Sequence, residues 1–410
     1  MNYVIIGNSI AATACIEGIR SVDKKGAITV ISAEKYPVYG RPLISYCLLG
    51  RVKRENMNYR PADFYQKNGA EVLYGRVARK IDPEAKTVEL DGGEAIPYDR
   101  LLVATGSRPF VPPMQGLDGV KDRFPFMTMD DMLALEGALS KDKDVLVIGA
   151  GLIGLKCVEG ILERVKSVSV VDMADRILPS ILDKEGAAIV QRGLEARGVK
   201  FFLGDSAERF EGSAAYLKNS KKKIEFDILV VAVGVRPNTE LVKEAGGEVN
   251  RGIVVDKGMR TSIKDVYAAG DCAEGYDSSV GSGRILALLP NAYFQGSVAG
   301  VNMAGGMAVH DDAIPMNAIG FFETHVLTAG VYEGECIEEV SDKVYKKLFL
   351  KEGRLVGFIL INDFLRAGIY TSLIRNKTPL AEVDFELLKN RPQLLAFSAE
   401  ERKQMLAHRV

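Results

Sequence analysis

The chain has no tryptophan, three histidines and five cysteines among its 410 residues. His310, His325 and His408 lie far apart and give no metal-ligand spacing, so a histidine-built metal centre is not expected. Cys15, Cys47, Cys157, Cys272 and Cys336 are odd in number and scattered, with no CxxC or CxxxxC pair. A disulfide framework is therefore not expected, and a reducing cytoplasm is the simpler setting. Surplus charge is also missing: 53 Lys and Arg against 54 Asp and Glu leave a net charge of -1. A general nucleic-acid binder needs a large positive field, which this balance does not provide. No apolar run reaches the ~18–20 residues of a membrane span. Met1-Asn2-Tyr3 runs directly into Val-Ile-Ile with no basic leader, so neither a membrane nor a secretory signal is expected. P-loop and nucleophile-elbow patterns are absent as well.

What is present is ordinary globular composition, 47% hydrophobic and 26% charged, at a length that suggests two or three domains. The chain also repeats itself. Val4-Ile5-Ile6-Gly7-Asn8-Ser9-Ile10-Ala11-Ala12 opens one copy, and Val145-Leu146-Val147-Ile148-Gly149-Ala150-Gly151-Leu152-Ile153-Gly154 opens another. Each is an apolar run, a small-residue turn and a helical pattern, with Ile153, Val158, Ile161, Leu162 and Val165 at helix-face spacing in the second. Further landmarks match in order: the segment from Gly69 to Gly75 with that from Gly198 to Gly204, and Tyr98 to Pro109 with Phe226 to Pro237. Continuous apolar strands are those of a parallel sheet covered on both faces. The pattern predicts two related nucleotide-binding α/β domains. From about Asp311 it changes: 344–350 and 355–361 read as two strands joined by a turn around Glu352-Gly353, in a smaller α+β domain with a charged end.

Gly149-x-Gly151-x-x-Gly154 follows a predicted strand and opens a predicted helix. The first glycine permits the tight turn, the second lets backbone approach a pyrophosphate, and the third lets helix and strand pack closely. Phosphate charge then meets unpaired N–H groups and the positive end of the helix. Asp172 ends the next strand, at the spacing expected of a carboxylate that binds a ribose diol and repels a 2′-phosphate. This copy should prefer NADH to NADPH; the alternative is a glycine turn without a ligand. The first copy, Gly7-x-Ser9-x-x-Ala12, is degenerate, and Ser32 stands where its acidic residue should end the strand. Glu34, two residues on, is the candidate for the ribose, against a solvated surface carboxylate.

With these residues the chain resembles the FAD-dependent pyridine nucleotide–disulfide oxidoreductases, and within them NADH:rubredoxin reductases, nitrite reductase flavin modules and ferredoxin reductases. The resemblance is strong over residues 1–310 and looser beyond. Thr261-Ser-Ile-Lys-Asp-Val-Tyr-Ala-Ala-Gly270-Asp271 matches the family fingerprint whose aspartate hydrogen-bonds the FAD ribityl chain, which makes Asp271 the firmest flavin assignment, with capping of the next helix as a compatible role. Ala104-Thr105-Gly106 matches the crossing point beside FAD, and Gly234 its equivalent near NAD. Arg41-Pro42-Leu43-Ile44-Ser45 resembles the segment along the flavin diphosphate and ring. Leu289-Pro290-Asn291-Ala292 and Gln295-Gly296 resemble the segment that closes over the ring. The resemblance also implicates Ile10, Val77 and Arg108 in holding FAD, and Leu152 and Ile153 in holding NADH. It implies two Rossmann-like domains of glutathione-reductase type plus a small C-terminal α+β domain. The FAD domain would be discontinuous, 1–110 and 238–310, with an NAD(H) domain at 111–237 inserted in it and a C-terminal domain at 311–410.

The implied reaction runs from NADH through FAD to a small electron carrier such as rubredoxin, in a monomer or homodimer, with no nucleic acid or membrane as partner. Rivals are an NADH oxidase or peroxidase, a coenzyme A-disulfide reductase, a redox-responsive binding protein, and an electron-entry subunit of a larger complex that docks through 311–410. The chain departs from the pattern at two places. Cys47 is the only cysteine near the segment where relatives carry a redox thiol, yet the matched position falls nearer Pro42 or Leu43, so a packed helix residue is expected. Cys272, after Asp271, reads as packing too. Ferredoxin reductases pair a lysine after the Arg-Pro-Pro-Leu-Ser run with a glutamate after the second glycine motif. Those positions here hold Tyr46 and Lys156, so that pair is lost. Either Lys156 supplies a cation near the flavin, or it runs out of its helix to solvent; Tyr46, in the lysine's place, is the other catalytic candidate. The basic run Lys218 to Lys223 could attract an acidic carrier, or be a solvated loop.

Overall fold

The computed structural model describes residues 1–407, so His408 lies outside the described residues. The chain forms two compact units. One comprises Met1–Ile177, Arg197–Tyr276 and Gly283–Asp311; the other comprises Leu178–Ala196, Asp277–Ser282 and the chain from Asp312. The helices that matter below are α1 (Ile10–Val22), α2 (Leu43–Leu48), α3 (Leu152–Ile161), α4 (Lys184–Glu195) and α5 (Leu289–Met303).

The first unit holds two five-stranded parallel sheets in which four strands correspond and the fifth does not: Val266–Ala268 follows the other strands of its sheet in the chain, whereas Arg123–Phe124 precedes those of its own. In one, Ala70–Tyr74, Ala27–Ser32, Asn2–Ile6, Arg100–Val103 and Val266–Ala268 lie side by side. In the other the sequence is Lys200–Leu203, Ser167–Asp172, Asp144–Ile148, Ile228–Val231 and Arg123–Phe124. The central strands are buried along almost their whole length, which is why they read as unbroken apolar runs. Each lobe also carries a three-stranded antiparallel sheet, Ala78–Asp82, Thr87–Leu90, Ala95–Pro97 in the first and Ala207–Glu211, Ala214–Leu217, Lys223–Glu225 in the second. Ser107–Pro109 pairs antiparallel with Val235–Pro237, with Arg108 opposite Arg236. The two repeated Gly-x-Arg-Pro landmarks are thus adjacent strands where the chain passes between lobes.

In the first lobe α1 and α5 pack backbone against backbone. A Cβ on Gly296 would lie 2.1 Å from the Ala11 carbonyl oxygen, one on Gly300 2.2 Å from that of Cys15, and one on Gly18 2.4 Å from that of Ser297. Glycine at these three places allows the approach. It brings Ala11, Ala12, Cys15, Ile16, Ile19, Ala299 and Met303 into one core with Ile5 and Leu102. Each fully buried large aliphatic side chain in such a core contributes ~1.5–3 kcal/mol.

The second unit is built on an antiparallel sheet in the order Met316–Phe321, Thr324–Gly330, Arg354–Ile361, Tyr345–Lys351, Glu335–Val340. The two strands expected from sequence are both there. Their turn has Glu352 at φ 51° and Gly353 at φ 67°, the pair of positive values that lets a two-residue turn follow strand twist. The other three strands were not anticipated. Helix α4 belongs to this unit: Asp183 caps it by accepting from Gly186 N at 3.1 Å, and also takes bonds from Tyr345 Oη at 2.6 Å and Lys347 Nζ at 2.9 Å.

Candidate dinucleotide site

The first lobe opens a cavity at the carboxyl ends of its strands, where open α/β sheets bind ligands. Gly7, Ser9, Ile10, Glu34, Arg41, Ala104, Thr105, Gly106, Gly270 and Asp271 line it, with Leu289 and Ala292 from α5. Val77 and Arg108 line a neighbouring cavity that shares Gly7 and Thr105 with the first. Gly7 is obligatory here: its φ is 111° and a Cβ would lie 2.1 Å from the Ala104 oxygen. Ser9 precedes α1 and makes no side-chain cap bond, and no acidic residue occupies the first turn. The N–H groups at that helix start therefore suit an anion. Ala12, in the third glycine's place, is wholly buried in the core and does not line the cavity.

Glu34 is not a solvated carboxylate. Its side chain is 23% exposed, ion-paired with Arg41, and accepts from Tyr39 Oη at 2.7 Å. Arg41 also reaches the Met127 carbonyl at 3.2 Å. Asp271 lies deep in the cavity, where burial pushes its carboxyl above the usual carboxylate range. The Ser107 hydroxyl, donating at 3.0 Å, and the Arg41 charge work the other way. Such a carboxyl gains from further hydroxyl donors. Gln295 accepts from Gly270 N at 2.8 Å and fixes the turn that presents Asp271. Pro290 stands in the first turn of α5, where a missing N–H costs nothing. The Asn291 amide binds the Leu286 carbonyl at 3.0 Å and lies 2.9 Å from His310 Nε2, so this side chain anchors α5. Pro42 precedes α2 and is exposed. A turn with no room for a Cβ, an anion-ready helix start and a desolvated carboxyl for hydroxyls together fit FAD.

The second lobe repeats the turn more strictly. Gly149 has φ 114°, and a Cβ on it would lie 2.3 Å from the Ala232 oxygen; one on Gly154 would lie 2.0 Å from the Gly149 oxygen. Gly151 precedes α3, whose first turn, containing Leu152 and Ile153, has no acidic residue. Gly234 takes φ 124° where the strand Ile228–Val231 leaves the sheet. The Asp172 carboxylate accepts from Ala150 N at 2.6 Å and Ala174 N at 2.8 Å. It is thereby held at the rim of the glycine turn as a fixed negative charge, which opposes any further anion beside it.

Tyr46 and Lys156, far apart in sequence, meet where α2 packs on α3. A Cβ on Gly160 would sit 3.0 Å from the Ser45 oxygen, so the helices are close. The Lys156 ammonium lies 4.1 Å from the Tyr46 ring centroid, a cation–π contact of ~0.5–2 kcal/mol. Lys156 does not run out to solvent: it is 12% exposed and ion-paired with Glu159, itself 2% exposed. The cross-helix pair expected of positions 46 and 156 is absent, and Lys156 pairs within its own helix. Glu159 was missed, although its place three residues after Lys156 was a readable signal. Tyr39 and Ser107 were also missed, because nothing local in sequence ties them to Glu34 and Asp271.

Cys47 has its thiol pushed upward by burial and by Glu136, with Arg54 and Arg164 opposing. Burial likewise raises Cys272, whose Sγ lies 3.4 Å from the Val103 and Ala269 carbonyls. Neither is poised as a thiolate. Two lysines of the basic run are ion-paired where they stand, Lys221 with Glu208 at 3.6 Å and Lys223 with Glu225 at 2.7 Å, and Lys222 lies 5.3 Å from the Phe202 ring. Among the described residues no cluster could hold a metal ion, and no helix is long and apolar enough to cross a membrane.

Residues 1–296 match the family described as pyridine nucleotide-disulphide oxidoreductase, and residues 315–378 match the rubredoxin NAD+ reductase C-terminal domain. The chain is 32% identical over 400 residues to the epsilon subunit of NADH-dependent phenylglyoxylate dehydrogenase from Aromatoleum evansii, covering 95% of this chain and 94% of that one. It is 33% identical over 392 residues to a Bacillus subtilis nitrite reductase [NAD(P)H], covering 92% of this chain but only 48% of the relative. Among solved structures, the putidaredoxin reductase–putidaredoxin complex superposes with a TM-score of 0.87 at 25% identity, over 94% of this chain and 95% of that one. The chain belongs to the pyridine nucleotide-disulphide oxidoreductase family and is an oxidoreductase whose cofactors are FAD and NADH.

Proposed function

We propose that this protein oxidises NADH through FAD and delivers the electrons to a small redox protein, rubredoxin or a relative. The observation that carries the reading is a pair of features in one chain. The nucleotide-binding unit has no dithiol among its cysteines, and a stretch matching the rubredoxin NAD+ reductase C-terminal domain follows it. Without a dithiol, electrons leave directly to an outside acceptor. Bound FAD would supply the two-electron chemistry toward NADH and the release of electrons toward the acceptor. The chain's own residues bind and orient. Gly7, Ser9 and Ile10 would meet the FAD diphosphate, Glu34 a ribose, and Asp271 the hydroxylated chain, with Arg41, Ala104, Thr105, Gly106, Val77, Arg108 and Gly270 shaping the walls. Gly149, Gly151, Leu152, Ile153 and Gly154 would hold the NADH diphosphate and Asp172 its ribose, with NADPH disfavoured. Lys156 and Tyr46 place one cation and one aromatic face where the lobes meet. The rate then comes mainly from orientation.

A second reading is favoured by the near full-length likeness to a dehydrogenase epsilon subunit: the chain would feed electrons into a larger complex. Purified protein separates the readings. Its flavin absorbance should bleach anaerobically with NADH and far less with NADPH. Rubredoxin should then reoxidise it faster than ferredoxin, oxygen, peroxide or coenzyme A-disulfide. Fast peroxide turnover that disappears in Cys47→Ser would overturn the first reading. Slow turnover with every soluble acceptor, together with copurifying subunits, would replace it with the second.

A further inference from the structure

We infer that Tyr39 is a positioning residue for FAD, whose hydroxyl sets the Glu34 carboxylate to receive both hydroxyls of a ribose. This rests on the reading of Glu34 as the ribose acceptor. Glu34 and Arg41 line the first-lobe cavity, and Tyr39 is buried beside them. The Tyr39 oxygen accepts from Met129 N at 2.9 Å. A backbone N–H can only donate, so the one proton of the phenol is left for Glu34, whose Oε2 lies 2.7 Å away. The direction of that bond is therefore fixed. Arg41 takes the other carboxylate oxygen, Oε1. A carboxylate offers about four acceptor sites, two on each oxygen. One donor on each oxygen leaves one further site on each, which is what a vicinal diol needs.

The phenol is itself held. Gly40 N donates to the Met57 carbonyl and Tyr59 N to the Val38 carbonyl, both at 2.9 Å, which fixes the backbone on either side of Tyr39. The centre of its ring lies 5.7 Å from the Arg41 guanidinium, so one side chain touches both partners of the ion pair. Ser32, which stands where a strand-end acid is expected, donates to the Glu34 carbonyl at 2.8 Å. The main chain of Glu34 is thus set by Ser32 and its side chain by Tyr39 and Arg41. Fixing a rotamer-rich side chain before the ligand arrives lowers the cost of binding. Met129 opens the helix Met129–Ala138, so its N–H is one that the helix itself leaves unpaired. Tyr39 therefore also serves the fold, and only its bond to Glu34 acts on FAD.

A double-mutant cycle separates the two roles. The full chain is stripped of flavin, and its dissociation constant for FAD is measured by titration, with melting temperature alongside. The forms are wild type, Tyr39→Phe, Glu34→Ala and the double variant. Tyr39→Phe keeps the ring and removes the hydroxyl. It should weaken FAD binding at least ~10-fold, the size of one hydrogen bond to a charged group. In the Glu34→Ala background the same change should cost less than ~3-fold, because the route through the carboxylate is gone. A loss that runs through Met129 alone is equal in both backgrounds. Equal losses, or a Tyr39→Phe protein with wild-type affinity, overturn the inference. Should Tyr39→Phe fail to fold, Glu34→Asp keeps the charge and withdraws the carboxylate from the phenol by one methylene. It should weaken FAD nearly as much as Glu34→Ala, and wild-type affinity would overturn the inference. Wild-type protein that takes up no FAD, or a Glu34→Ala protein that binds it as wild type does, removes the underlying reading. A Glu34→Ala defect with equal Tyr39→Phe losses in both backgrounds removes only this inference.

Discussion

The two glycine turns occupy the same place in two sheets that share four corresponding strands, yet only the second keeps all three glycines. The structure separates what the sheet demands from what a ligand demands. Gly7 and Gly149 have φ values of 111° and 114°, and a Cβ on either would strike the backbone of the strand-end alanine beside it, Ala104 or Ala232. The protein alone requires glycine there. At the middle position a Cβ on Gly151 would meet nothing within 4 Å, so only an incoming ligand asks for a small residue, and Ser9 suffices in the first lobe. At the third, a Cβ on Gly154 would lie 2.0 Å from the Gly149 oxygen, whereas Ala12 is accommodated in its core. Helix α3 therefore sits tighter on its turn than α1 does.

The strongest way to break this comparison is Gly7→Ala or Gly149→Ala. Each combines a left-handed backbone with overpacking, ~2–5 kcal/mol in all. Denaturant unfolding should show losses of similar size in the two variants, with flavin lost in the first and NADH reduction lost in the second. A stable, cofactor-binding Gly149→Ala would show that the turn is not strained as described. The acidic residues come next. Asp172 is fixed by two backbone N–H groups, whereas Glu34 is tied up by Arg41 and Tyr39. Asp172→Asn should shift the NADH:NADPH preference in kcat/KM by about a hundredfold, ~2.8 kcal/mol. An unchanged ratio would move nucleotide choice elsewhere.

Lys156→Met probes the junction between the lobes. It should slow reduction of bound flavin by NADH at least ~10-fold, roughly 1.4 kcal/mol of barrier. An unchanged stopped-flow rate would make Lys156 a packing residue.

The lobes differ in how much of them sequence reveals, and so do the two units. The duplication is legible because a parallel sheet buried on both faces needs long apolar runs, and because a strand-to-helix turn at φ near 110° needs glycine. The Glu352-Gly353 hairpin is legible for a similar reason. The strand Glu335–Val340 was hidden: it is a charged, largely exposed edge that reads as loop, with Glu335, Glu338 and Glu339 along it. Thr324–Gly330 mixes Thr, His and Gly among its apolar residues and shows no clean alternation. In the site, single positions were readable and partnerships were not. Nothing local places Tyr46 over Lys156, or Ser107 beside Asp271, because both contacts need the fold to be complete.

The smallest effect expected is also the cleanest contrast between the lobes. Tyr98 and Phe226 hold equivalent positions ahead of the strands Arg100–Val103 and Ile228–Val231, and each is 3% exposed. The Tyr98 hydroxyl is buried with no hydrogen-bond partner, which costs its desolvation without return. Tyr98→Phe makes the first lobe copy the second and should stabilise the protein by ~1 kcal/mol at neutral pH. Burial, aided by Asp82 and Asp265, pushes this phenol up to about 12, while the unfolded chain ionises it near 10. Below pH ~10 neither state ionises, so this group adds no pH dependence. Between 10 and 12 only the unfolded state loses the proton, and wild type loses stability that Tyr98→Phe keeps. The other tyrosines titrate in both proteins and cancel, so the stability gap should widen with pH across that window. A Tyr98→Phe protein less stable than wild type at pH 7 would mean that the hydroxyl contributes a bond after all.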